Sequence, residues 1–187
     1  MQVLLVAIGS HGDVLPFIAL GSELRRRGHP VVLAVPAPFE ASVTRAGPEF
    51  HALLDQAAYD AVISEPNLRH PRRGAQILFE LAAAFIDPVY TLLAARAAEG
   101  PVVASILSLG ARISQDKLGL TLVTLHLAPF LLRSRSAPPE LPGLLLPRWL
   151  PAVLRHRIQL GAEHYVIDPV CLPPQTPTVR NSVCRRC

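Results

Sequence analysis

The amino-acid sequence predicts an α/β protein, a doubly wound and mostly parallel sheet with helices on both faces. Three observations predict it. Apolar runs without polar alternation recur at residues 3–8, 31–35, 101–107 and 120–125, as strands buried on both faces require. Helical stretches separate these runs, and alternation of strand and helix is the pattern of a parallel sheet built from crossovers. The chain has 187 residues, of which 50% are hydrophobic and 17% charged, enough for one domain with a sizeable core and too apolar for general disorder.

The elements follow in order. Residues 3–8 form the first strand, bounded by Gly9. Asp13 precedes a helix in which Val14, Phe17, Leu20, Gly21 and Leu24 recur at three- and four-residue spacing, one apolar stripe. Pro16 fits its first turn, and Gly28 closes it after Arg25–Arg27, which oppose the negative end of the helix dipole. Residues 31–35 are the second strand, residues 38–46 a short helix stopped by Gly47, and residues 50–54 a third strand. Residues 55–73 read as a long loop with a short helix at most. Residues 74–99 are helical in composition, with Pro88 expected to kink or divide them. Residues 101–107 form a strand, 110–118 a short helix, 120–125 a further strand, and 151–165 a final helix. Residues 128–151 are rich in Pro, Leu and Arg without a settled period.

Charge and cysteine narrow the function classes. The net charge is +4, and Lys117 is the single lysine among 18 basic residues. Residues 1–170 carry 15 basic and 14 acidic side chains, which gives a nucleic-acid groove little support. Cys171, Cys184 and Cys187 lie near the chain end. The pair Cys184/Cys187 has CxxC spacing but neither the four ligands of a zinc site nor the strand-to-helix context of a redox pair, and no metal is expected. The first residues lack the basic segment of a signal peptide. The longest uncharged run, residues 118–132, is shorter than the roughly 20 residues of a membrane span. A soluble, cytoplasmic protein is expected. Residues 171–187 break the pattern, with Pro173, Pro174 and Pro177 and then an arginine-rich end. They read as a disordered tail of the kind a reading-frame change after about Pro174 leaves, with the domain occupying residues 1–170.

Ligands in a doubly wound sheet gather at the carboxyl ends of the strands. The loop there is Gly9-Ser10-His11-Gly12-Asp13. Two glycines let the backbone turn sharply and approach a ligand, and the helix N-terminus behind them offers free N–H groups. The loop is neither GxGxxG nor a P-loop. On these residues alone Asp13 reads as an N-cap, and His11 as a solvated turn histidine.

The stretch Gly9-Ser-His-Gly-Asp-Val-Leu-Pro-Phe-Ile-Ala-Leu-Gly-Ser-Glu-Leu-Arg-Arg-Arg-Gly-His-Pro-Val-Val-Leu-Ala34 resembles the opening of nucleotide-sugar glycosyltransferases with the two-domain GT-B fold. The nearest branch is family 28, with sterol glucosyltransferases, antibiotic glycosyltransferases and the rhamnosyltransferase of rhamnolipid synthesis. Phe39-Glu-Ala-Ser-Val-Thr-Arg-Ala-Gly47, Ile86-Asp-Pro-Val-Tyr90 and Leu109-Gly-Ala-Arg-Ile-Ser-Gln-Asp-Lys-Leu-Gly119 agree with it, and the rhamnosyltransferase-like similarity runs to about Pro173.

The resemblance implies a Rossmann-like N-terminal half that binds the acceptor. It implies Asp13 as the general base of an inverting hexose transfer and His11 as an alternative base or orienting neighbour. Gly9, Ser10 and Gly12 then shape the loop facing donor phosphates and acceptor hydroxyl. A carboxylate suits this chemistry, because the attacking hydroxyl becomes acidic only as the glycosidic bond forms. The donor is a nucleotide-sugar, a substrate rather than a cofactor, and is held by a C-terminal domain whose glycine-rich loop has no counterpart here. An isolated chain is therefore expected to be inactive. The acceptor is expected to be a hydrophobic small molecule or lipid. Residues 144–157, with Trp149, leucines and arginines, suit a membrane surface, a lipid-like acceptor or packing on the donor domain. Two rivals remain at this level. One is a non-catalytic apolar-ligand or partner-binding domain. The other, a dinucleotide-binding oxidoreductase, is disfavoured because the second strand ends in Pro36 rather than an acidic ribose ligand.

Overall fold

The computed structural model describes residues 1–69, 73–96, 99–127, 147 and 150–162. The apolar runs become strands β1 (Val3–Val6), β2 (Val31–Val35), β4 (Val102–Ser105) and β5 (Leu122–Leu125), joined by β3 (Glu49–Ala52). All pair in parallel, in the order β3-β2-β1-β4-β5. The helices are α1 (His11–Arg26), α2 (Glu40–Ala46), α3 (Gln56–Ile63), α4 (Arg73–Ala84), α5 (Ile86–Ala95), α6 (Leu109–Leu118) and α7 (Ala152–Ala162). Among the described residues no helix is long and apolar enough to cross a membrane.

Successive side chains of a strand point to opposite faces, and the core divides accordingly. Leu4, Val6 and Ile8 join Val102 and Ala104 beneath Phe85, Val89, Leu92 and Leu93 of the α5 segment and Ala111 of α6. Val3, Leu5 and Ala7 join Val31, Leu33 and Val35 beneath Val14, Phe17 and Ile18 of α1, Val43 of α2 and Tyr59 of α3. One sheet with two apolar faces is thus covered on both sides. The strand order reverses at β1: β2 and β3 lie to one side of it, β4 and β5 to the other. The carboxyl ends of β1 and β4 therefore border the crevice where such folds hold ligands.

Two local outcomes sharpen the expectation and a third departs from it. The stretch from 55 to 73 is more ordered than a loop. Asp55 caps α3, its carboxylate accepting the Ala58 N–H at 2.7 Å, and a single 3-10 turn follows at Pro66–Arg69. The long helical stretch divides at Phe85 rather than at Pro88 itself. A proline's ring clashes with the carbonyl four residues earlier, which here is that of Ala84, the last residue of α4. Finally, α1 begins at His11, two residues before Asp13, so Pro16 lies in its second turn.

Candidate functional site

The early start of α1 decides the geometry of the loop. β1 ends at Val6, and Ala7 still donates to the Ala34 carbonyl at 3.0 Å. Gly9 then takes a φ of +134°, a conformation that side-chain-bearing residues avoid. A Cβ at this position would also collide with the Asp13 carboxylate. Ser10 is the N-cap residue, and Asp13 stands at the third helical position. Asp13 Oδ2 accepts the Ser10 N–H at 2.8 Å and the Ser10 hydroxyl at 3.1 Å, the return bond of a capping box. Asp13 is thus not the N-cap that its sequence position suggested. It closes the cap from inside the first turn, because Ser10 is already there to start the helix.

The two glycines of the loop separate as well. Gly9 is required by the turn. Gly12 is helical, exposed, and a Cβ on it would meet only Ser10 Oγ, at 3.8 Å. The fold leaves open space there.

Asp13 is half-buried in the first turn of α1, just beyond the carboxyl end of β1. Among the described residues its Oδ1 accepts no hydrogen bond, so one carboxylate oxygen holds the cap while the other remains open. His11 is exposed at the first helical position. Its ring packs edge-to-face with Phe39, with centroids 4.9 Å apart and planes at 65°. Phe39 in turn packs edge-on against Tyr59 at 5.8 Å and 87°. Burial pushes the Tyr59 phenol above its ordinary range, and the negative charges of Asp13 and Asp60 push it further the same way. The carboxylate of α1 and the phenol of α3 therefore feel each other on the same side of the sheet.

The opposite wall is polar and closed on itself. Ser105, at the end of β4, accepts the Ile8 N–H at 3.4 Å through its hydroxyl, and Ser108 donates to the Val6 carbonyl at 3.4 Å. The two hydroxyls are 3.0 Å apart. This buried pair ties the end of β1 to β4 directly below the Gly9 turn. Gly9, Ser10, His11, Gly12 and Asp13 thus gather as one loop and first helical turn. Phe39, Tyr59, Ser105 and Ser108 join them from three other parts of the chain, and no local signal marked them as neighbours of this loop. Trp149, the cysteines and residues 163–187 lie outside the described residues, and of residues 144–157 only Pro147 and 150–157 lie within them. In that last stretch Val153 is 71% exposed and Leu154 45%.

Comparison with known proteins places this arrangement. The glycosyltransferase family 28 N-terminal domain matches residues 3–133. The O-mycaminosyltylonolide 6-deoxyallosyltransferase of Streptomyces fradiae is 50% identical over 52 residues, 28% of this chain and 12% of that protein. A sterol 3-beta-glucosyltransferase of Arabidopsis thaliana is 43% identical over 53 residues, 28% of this chain and 8% of that protein. Solved glycosyltransferases share the fold. Among them is SsfS6 of Streptomyces sp. SF2575, crystallised with thymidine diphosphate, with a TM-score of 0.52 and 21% identity over 66% of this chain and 38% of that one. The matched stretches are about a tenth of the curated relatives, and the chain spans well under half of SsfS6. The chain belongs to the glycosyltransferase family 28 N-terminal domain family and has the fold of the N-terminal domain of a GT-B glycosyltransferase.

Proposed function

We propose that this domain binds the acceptor in an inverting, nucleotide-sugar-dependent hexose transfer, with Asp13 as the general base. The acceptor is a hydroxyl of a hydrophobic small molecule or lipid. The position of Asp13 carries this reading: its carboxylate is half-buried in the first turn after β1, and Oδ2 holds the cap while Oδ1, with no hydrogen bond among the described residues, is available to an acceptor proton. As the acceptor oxygen bonds to the anomeric carbon, the bond from that carbon to the diphosphate oxygen breaks. The acceptor proton passes to Asp13 Oδ1, and the nucleoside diphosphate leaves with the electron pair. Backside attack inverts the anomeric centre, and proton removal of this kind contributes about 10²- to 10⁴-fold to rate.

Gly12 supports the same reading. Glycine in a helix costs about 0.5–1 kcal/mol relative to alanine, and nothing in the fold demands it at this position. A ligand that approaches the first turn of α1 closely does demand it. The sugar nucleotide is held chiefly by a second GT-B domain, because the glycines after Gly119, Gly143 and Gly161, have no phosphate-cradling loop around them. The sterol acceptor of the Arabidopsis thaliana relative favours an apolar acceptor.

In the protein carrying both GT-B halves, Asp13→Asn should lower kcat for transfer from a thymidine-diphosphate sugar by at least about 100-fold, with the wild-type product inverted at the anomeric carbon. Transfer within a few fold of wild type, or a retained configuration, overturns the reading. The 187-residue chain alone should bind apolar alcohols in equilibrium dialysis and transfer no sugar.

A further inference from the structure

We propose that Phe39 and Tyr59 are positioning residues of this site, the row of rings holding the His11 imidazole at the first turn of α1, the turn that also carries Asp13. The inference rests on the reading of His11 and Asp13 as neighbours of the reacting hydroxyl. Three consecutive crossovers each deliver one aromatic ring: His11 from the helix after β1, Phe39 from the turn after β2, and Tyr59 from the helix after β3. They form a row, His11 to Phe39 at 4.9 Å and Phe39 to Tyr59 at 5.8 Å, both edge-to-face.

The members of the row differ in freedom. Phe39 is 2% exposed and Tyr59 8%, and both lie in the apolar cluster beneath α1. His11 is exposed, and among the described residues its side chain makes no hydrogen bond or ion pair. The Phe39 ring is therefore what selects its orientation. An aromatic pair of this geometry favours one rotamer by about 2- to 10-fold, a useful bias for an exposed imidazole on the loop that faces the reacting hydroxyl. Core packing alone explains an apolar residue at 39, for which leucine would serve. It does not explain an aromatic ring in edge-to-face contact with His11. The far end of the row returns to the site, since the Tyr59 phenol senses the Asp13 charge.

The test begins with proton NMR of the 187-residue chain, His11 being identified by the resonances missing from His11→Ala. Phe39→Leu should remove the ring-current displacement of the His11 ring protons, and Phe39→Tyr should keep it. His11→Ala alters an exposed residue and leaves the fold intact, yet should shift the Phe39 and Tyr59 ring resonances. That variant decides the matter if Phe39→Leu fails to fold. In the protein carrying both halves, Phe39→Leu should lower kcat about tenfold with little change in acceptor KM, and Phe39→Tyr should restore it. Unmoved resonances in His11→Ala, or wild-type kcat in folded Phe39→Leu, overturn the proposal. The resonances require no transfer chemistry, so a transfer that proves independent of Asp13 removes the preceding reading without touching the ring contacts.

Discussion

At Asp13 one side chain performs a structural task with one oxygen and offers the other to solvent. Its charge reaches Tyr59, which yields a direct measurement. The folded phenol is held above its ordinary value by burial first and by Asp13 second. Replacing Asp13 with asparagine removes a negative charge, so the Tyr59 phenol should ionise at lower pH than in wild type. Phenolate absorbance, with Tyr59→Phe as the reference, reads this shift, and an unchanged titration means that the two groups do not face each other. The linkage has a definite sign. A raised phenol pKa favours the folded state below the unfolded value of about 10, and that contribution is lost as pH rises through the folded value. The neighbouring glycines make a second contrast. Gly9→Ala should destabilise the chain by about 1–3 kcal/mol, since it combines strained backbone with a collision against Asp13. Gly12→Ala should instead stabilise α1 by about 0.5–1 kcal/mol while weakening transfer in the protein with both halves. Urea melts of the two variants check the opposite signs.

Among the elements, the tightest constraint is where α5 crosses α6. A Cβ on Gly110 would stand 2.5 Å from the Ile86 carbonyl oxygen and 2.9 Å from Val89 Cβ, and backbone cannot swing aside as a flexible side chain can. Gly110→Ala should cost about 1–3 kcal/mol by overpacking. Gly161→Ala, with no neighbouring atom within 4 Å, should be neutral or mildly stabilising in the same thermal melts. Elements that bury a whole face were legible in the sequence. β2 falls on residues 31–35 as expected, and α1 shows its stripe through Val14, Phe17 and Gly21. The short helix allowed within residues 55–73 could not be placed, because α3 buries only Tyr59 and so has no apolar period to read; its one local signal is the Asp55 cap. The Gly9–Asp13 loop was visible because it is contiguous. Phe39, Tyr59, Ser105 and Ser108 were hidden, because their meeting depends on strand order, and an isolated aromatic or serine carries no sign of its tertiary neighbours.

For the molecule as a whole, a single thin sheet carries two cores. Adjacent residues of β1 serve opposite faces: Leu4 packs under α5 and α6, and Leu5 under α1 and α2. Neither face has a sheet of its own, so neither can persist when the other opens. Leu4→Ala and Leu5→Ala should each cost about 2–5 kcal/mol, although their side chains touch no common helix. Each should shift one shared transition rather than create a second one. Urea unfolding followed by far-UV circular dichroism and by the tyrosine signal should therefore give coincident curves in both variants. Curves that separate in Leu4→Ala but not in Leu5→Ala would mean that the α4–α6 side opens by itself. The crevice between β1 and β4 would then have one mobile wall, the serine-lined one, while the Asp13 side stayed folded. Coincidence in both means that the Gly9–Asp13 loop is held as firmly as the sheet beneath it, because the residues that anchor it at Ile8 and Ala7 belong to opposite cores.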